Sequence, residues 1–427
     1  MIPSFHLPFA NSHFISISEK SESIMIHMYK QRKGKEMKRQ LVVYLVSLAA
    51  FLGPFTQTIY TPILPEVREA FATSSFLINL TISIFTFFLA MMQIVYGPLT
   101  DRKGRRTVLL GGIVIYIAAS LGCFFSTSIY ALLFFRALQA VGIAAGSVVA
   151  ATVIGDLFTG KERGRAMGTF QMMVSLGPVV GPIVGGFLAE HFPFRTVFLA
   201  LVAVGGLVGA GNFLLLKETK PETAVSSPFR LSDFASVLRR RAGSSIVLLG
   251  FVQYYSLYNF LVFLPSILTD RYGLSAQEKG TVYLAMSSMI VIGSFLGGRL
   301  QGRFPERRIL LAASYLTVLS IFFFLIAAQR SLSLLVLAIA LFGLFLGLSL
   351  PVQTTVLTNV FQANRSTAIG VYNFFRYMGM AFGPMIGSAL FAAGGYHLVY
   401  GMDDLLFFAC ALLLTVRVAR TRRQSAV

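Results

Sequence analysis

The chain has 427 residues, of which 56% are hydrophobic and only 12% charged, and its mean hydropathy is +0.74. An ordinary soluble domain carries roughly 25% charged residues, so water is not this chain's main solvent. A formal net charge of +19 would suit nucleic-acid binding only if the cations formed one folded patch. They sit instead in short segments between apolar runs, which excludes that reading.

Residues 1–40 hold no apolar run long enough for a signal sequence and end in a basic cluster, Lys30 to Arg39. They read as a disordered cytoplasmic leader, with Met25, Met28 and Met37 as alternative starts. From Leu41 to Val416 apolar stretches of about 20 residues recur, the helical length that crosses a hydrocarbon core of roughly 30 Å. Lipid offers no partner to unpaired N–H and C=O groups, so these stretches are helices. The division predicts twelve spans, over 41–62, 77–98, 108–126, 129–155, 166–190, 196–216, 244–268, 281–298, 309–328, 333–360, 367–393 and 397–416. It puts 29 of the 36 Lys and Arg on one side and five on the other, with Arg136 and Arg376 inside spans. The positive-inside rule makes the basic side cytoplasmic, which places both termini there and the protein in a plasma membrane, as in a bacterial cytoplasmic membrane.

Span 1 contributes Gln57 and Tyr60, and Phe51 to Pro65 contains no carboxylate. The loop after span 2 reads Gly97-Pro98-Leu99-Thr100-Asp101-Arg102-Lys103-Gly104-Arg105-Arg106. Gly97 permits close helix approach, Asp101 suits a helix N-terminus, and Arg105 can reach a carboxylate. The segment resembles the loop signature of the major facilitator superfamily, departing from its commonest form only at Thr100. The resemblance implies that Asp101 meets the start of span 11 and that Arg105 meets an acid at the end of span 4, here Asp156. It also implies that these contacts latch the cytoplasmic side shut.

Span 4 carries Arg136 within Phe135-Arg136-Ala137-Leu138-Gln139-Ala140-Val141-Gly142, similar to a family element with Ala140 in place of the usual glycine. An Arg inside a span costs about 2.5–3.5 kcal/mol on insertion scales, so it should face a cavity or a partner. The resemblance gives it a part in proton transfer or substrate contact. Span 5 reads Gly177-Pro178-Val179-Val180-Gly181-Pro182-Ile183-Val184-Gly185-Gly186, a full match to the family's antiporter signature. Its glycines at four-residue spacing permit close helix contact, and its prolines bend the helix. That face resembles the hinge and seal between the halves of exporters.

Residues 217–243 form the longest polar stretch between spans and divide the chain into domains at 1–40, 41–216, 217–243, 244–416 and 417–427. A repeat agrees with this division: at a separation of 202, Arg163 pairs with Arg365, Gly168 with Gly370, Gly177 with Gly379, Gly181 with Gly383 and Gly185 with Gly387. The expected fold is an all-α integral membrane protein, twelve transmembrane helices in two pseudo-symmetric six-helix bundles, the architecture of the major facilitator superfamily.

Lipid penalises polar side chains, so those near span centres should line a central cavity: Gln57, Tyr60, Gln171, Gln253, Tyr254, Tyr258, Asn259, Gln353, Asn373 and Arg376. Interhelical hydrogen bonding explains any single one equally well. Asp403 and Asp404 begin the last span near its outer face and are, with Arg136 and Arg376, candidates for proton or substrate coupling. Cys123 and Cys410 read as buried small hydrophobes; no enzyme motif, cofactor or metal is expected. The expected function is export of a small amphiphilic organic compound in exchange for protons by a monomer in the lipid bilayer. The alternatives are proton-coupled uptake of a sugar or other nutrient, and a transporter-like sensor.

Overall fold

The computed structural model describes residues 39–220, 231–274 and 276–424. The expected leader lies outside the described residues except for its last two, as does the middle of the expected linker. Eleven helices are long and apolar enough to cross a membrane: α1 (Arg39–Ile59), α3 (Ser75–Lys103), α4 (Arg105–Phe125), α5 (Ile129–Leu157), α6 (Gly160–His191), α7 (Thr196–Leu215), α9 (Arg241–Asp270), α10 (Ala276–Leu300), α11 (Glu306–Arg330), α12 (Leu332–Val360) and α13 (Arg365–Gln424). Two short helices, α2 (Leu64–Ala70) and α8 (Leu231–Arg239), lie between them. The membrane stretch of α13 has 52 residues, about 78 Å of helix, more than two bilayer cores. Gly394 and Gly395 break it, and Gly395 at φ 64 takes a conformation open chiefly to glycine. The two limbs make the chain a twelve-span, all-helical bundle.

Hairpin turns on one side are capped alike in the two halves. Ser128 accepts a hydrogen bond from Ala131 N at the start of α5, and Ser331 accepts one from Leu334 N at the start of α12. Each such cap stabilises a helix start by about 1 kcal/mol. The opposite side carries the connections rich in Lys and Arg and is called the basic end below.

At the basic end the helices run past the expected span limits. The Gly97–Lys103 segment, read above as a loop, is the last two turns of α3, and the turn itself is Gly104 at φ 95. Arg102 and Lys103 favour this extension, because cations suit the carbonyl end of a helix. Within the expected linker, α8 packs on α9 and on α13.

Two seams join the halves at the basic end, α3 against the first limb of α13 and α6 against α10. Both are built on glycine. A Cβ on Gly97 would lie 2.9 Å from Thr367 Cα, and one on Gly168 would lie 2.6 Å from Gly298 Cα. Gly370 meets the Gln93 carbonyl and Gly97, as its repeat partner Gly168 meets Gly298. Absence of side chains at these four positions lets the backbones touch.

Candidate functional site

Polar bonds follow the glycine seams. Asp101 Oδ2 accepts from the Thr367 backbone N at 3.1 Å and from Thr367 Oγ1 at 3.0 Å, close to the start of α13. Asp156, at the end of α5, accepts from Arg105 Nε at 2.9 Å and from Arg365 Nη1 at 2.6 Å, its carboxylate only 3% exposed. Thus one carboxylate ties an arginine of its own half to one of the other half. Nearby, Arg163 Nη1 of α6 donates to Asn359 Oδ1 of α12 in the other half, and the hydroxyls of Thr152 and Ser366 pair at 2.8 Å.

Glu218, which follows α7, reaches back to this latch. Its carboxylate accepts from the backbone N–H groups of Arg105 at 2.8 Å and Arg106 at 3.1 Å, the first turn of α4. Partial burial pulls the Glu218 carboxyl upward, but the N–H groups of Arg105, Lys220, Arg106 and Thr219 outweigh it and hold it below the ordinary glutamate value. Its position could have been suspected from the orphan donors that begin any helix; nothing in the sequence spacing gave the partner.

On the far side of the seams, residues of both halves line a cavity. Of the ten polar residues expected there, Gln57, Gln171, Tyr254, Tyr258, Asn373 and Arg376 line it. The other four do not. Tyr60 is enclosed in the first half. Gln353 donates to Gln253 Oε1 at 2.8 Å and accepts from Tyr372 Oη at 2.9 Å, while Gln253 donates to Ser349, so these amides bind helices together inside the second half. Asn259 turns away to donate to Asp403 Oδ1 at 2.8 Å. A helix buried on several faces satisfies polar groups within its own bundle as readily as toward a cavity, and sequence spacing does not separate the two. Ser147, Ser175, Ser287 and Tyr377 also line the cavity; hydroxyl residues are too common in spans to have marked it.

Arg136 does not line the cavity either. It is fully buried within the first half, its guanidinium 4.4 Å from the ring centres of both Tyr60 and Phe85, and Nη1 donates to Gln139 Oε1 at 2.7 Å. Aromatic faces and an amide substitute here for a carboxylate. The arginine that does face the cavity is Arg376, over Tyr254 at 4.1 Å and Tyr372 at 5.2 Å.

The antiporter-like glycines also differ from expectation. Gly177, Gly181 and Gly185 press on the Pro54–Ile59 segment of α1, in their own half, and Thr58 Oγ1 donates to the Gly177 carbonyl at 3.1 Å. Gly186 faces open space, and Pro178 lines the cavity while Pro182 is exposed. The close contact between halves on α6 is made instead by Gly164 and Gly168, about two and a half to three and a half turns before Gly177, against Gln301 and Gly298. The repeat partners Gly379 and Gly383 likewise press on α9 within the second half.

Asp403 and Asp404 lie about two turns past the Gly395 break rather than at a solvated helix start. Asp403 is fully buried, and its Oδ2 has no hydrogen-bond partner. It faces Asn259 of α9, so the bend of α13 carries this acid into the bundle.

The profile of the Major Facilitator Superfamily matches the chain twice, over residues 46–245 and 246–427. The multidrug transporter protein MdtP of Bacillus subtilis (strain 168) is 27% identical over 425 residues, spanning 86% of this chain and 78% of that protein. Several other curated relatives are matched over only about 40% of their own length. Among solved structures, the human organic anion transporter MFSD10 (TETRAN) superposes with a TM-score of 0.74 at 19% identity, covering 88% of this chain and 99% of that one. The proton:xylose symporter XylE gives 0.75 at 13% identity, covering 89% and 95%. At such identities the likeness speaks for the fold. Together with the family profile over both halves, it identifies this chain as a multi-pass membrane transporter that belongs to the major facilitator superfamily.

Proposed function

We propose that this chain is a secondary active exporter of a small amphiphilic organic compound, exchanged for protons by alternating access of the central cavity. The observation that carries the reading is the asymmetry of the interface. Glycine seams and the Asp156 and Asp101 latches close the halves at the basic end, while the cavity, largely apolar with a few polar groups, lies immediately beyond them. With the basic end taken as cytoplasmic, both termini face the cytoplasm of a plasma membrane and the structure corresponds to the state shut toward the cell interior. Rocking the halves would break the latch and expose the same cavity to the other side. The name of MdtP, a multidrug transporter, supports a small organic substrate.

Asp403 is the carboxyl proposed to carry the proton, being buried and in no ion pair among the described residues. An ionised carboxylate in such a place is costly, which ties proton loss to exposure by a change of state. Everted vesicles containing the protein test the whole reading: addition of a transported compound should collapse an imposed pH gradient. Compound entering right-side-out vesicles together with protons would instead establish uptake.

A further inference from the structure

We infer that the cavity selects organic anions, with Arg376 as the counter-charge; this rests on reading the cavity as the site of the transported compound. Among the described residues that line it, Arg376 is the one formally charged side chain, and no Asp or Glu is present. The groups around Arg376 are neutral: the Tyr254 ring at 4.1 Å, the Tyr372 ring at 5.2 Å, the Tyr254 hydroxyl, and Asn373 Oδ1, which accepts from Nη1 at 3.3 Å. Aromatic faces and dipoles soften a partly buried positive charge but leave its unit charge in place. A ligand carrying a carboxylate or sulfonate cancels it and matches the planar donor fork of the guanidinium. A cationic ligand would add a second like charge to the same low-dielectric space.

An independent observation lies on the opposite wall. Gln171 is 1% exposed, lines the same cavity, and has no hydrogen-bond partner at either amide atom. A buried amide left unpaired costs free energy that a bound polar group recovers. The remaining lining, including Leu257, Leu261, Ile290 and Met380, suits an apolar body. The ligand class is therefore an amphiphilic organic anion, with its acidic group toward Arg376.

The same contact couples binding to the seam. Asn373 accepts from Arg376 and donates to Gln93 Oε1 at 3.1 Å and Ser147 Oγ at 3.3 Å, both in the other half. An anion that draws the guanidinium away from Asn373 thus acts on a bond between the halves.

The test uses ligand pairs with one apolar body and opposite charge. Everted vesicles should accumulate anionic carboxyfluorescein at least about tenfold faster than cationic rhodamine 123. In purified full-length protein, naphthalene-2-sulfonate should raise the thermal midpoint and the naphthalene-2-trimethylammonium ion should not. Arg376→Gln should abolish the sulfonate shift, and Arg376→Lys, which keeps the charge, should preserve part of it. The proposal is overturned if the sulfonate gives no shift, if its shift survives in Arg376→Gln, or if the cation stabilises equally. Sulfonate binding that obeys these rules in a protein that moves neither dye would uphold the anion site and remove the exporter reading. Export of rhodamine 123 unaffected by Arg376→Gln would do the reverse.

Discussion

Arg365 donates to Asp156 across the seam between the halves at 2.6 Å, and its repeat partner Arg163 donates to Asn359 in the opposite direction. The two crossings are related by the internal repeat, but only the first ends on a carboxylate. Of these two crossings, then, one is ionic and one neutral, beside the Asp101–Thr367 and Thr152–Ser366 bonds that also join the halves there. Asp156 also accepts from Arg105, so its removal leaves Arg365 without a carboxylate and Arg105 with Asp101 alone, 3.6 Å away.

Asp156→Asn should open the basic end, since stripping one partner from a buried ion pair costs about 3–5 kcal/mol. Asn359→Asp should do the opposite, adding on the order of 1 kcal/mol to the closed state, about fivefold in population. Spin labels at the exposed positions Lys161 and Arg303 would report the separation of the halves at this end. No lengthening in the first variant would remove Asp156 as a latch.

The glycine seam makes a steric prediction. A Cβ at Gly168 would lie 2.6 Å from Gly298 Cα, backbone that cannot turn aside. Gly168→Val should hold α6 off α10 and stall the cycle before the basic end closes, with ligand binding retained and turnover lost. Gly186→Ala, which enters open space, should transport as wild type; equal damage in both variants would point to folding rather than closure.

How much of this was legible beforehand follows from what kind of pattern each feature leaves. Twelve spans and two halves were readable because hydropathy and an offset of 202 residues record themselves directly in the sequence. Asp101 and Arg105 were placed through a resemblance of their segment, whereas Arg365 was noted as a repeat partner without its carboxylate being recognised. Arg136 was left between a cavity and a partner, because a charge in a span signals that it needs a neighbour, not which neighbour; Tyr60 and Phe85 supply it from inside the half. The glycines of α6 announced close packing, but a one-dimensional spacing does not say against which neighbour, and the neighbour is α1.

Acid should loosen the joint between α7 and α4. The Glu218 carboxyl is held below its ordinary value by backbone N–H groups, so the folded state binds fewer protons there than the unfolded state. Its contribution is then complete above the unfolded value, about 4.3, and is lost as pH falls through the lower folded value. Thermal midpoints measured from pH 7 down to pH 3.5 should fall less steeply for Glu218→Gln than for wild type. At neutral pH the variant should lose up to about 1 kcal/mol, the worth of a negative charge at a helix start, reduced by its exposure. Parallel curves would assign the acid sensitivity to other carboxyls.

Asp403 offers the sharpest division between binding and coupling. Its Oδ1 accepts from Asn259, its Oδ2 has no partner, and it takes part in no ion pair among the described residues. Asn259 adjoins Tyr258, which lines the cavity, and it also approaches Gly387 in the first limb of α13. A proton gained or lost at Asp403 therefore acts at the junction of α9 with both limbs of α13, while the carboxyl itself stays out of the cavity. Asp403→Asn imitates the protonated form with nearly the same shape. Exchange of ligand across a vesicle membrane without a gradient should continue, because both open states remain accessible. Accumulation driven by a pH gradient should fall at least about tenfold, equivalent to roughly 1.4 kcal/mol of lost coupling. Asp404→Asn serves as the neighbouring control and should keep most of the gradient response. If Asp403→Asn accumulates ligand as wild type does, the proton travels by another group and this buried pair is structural.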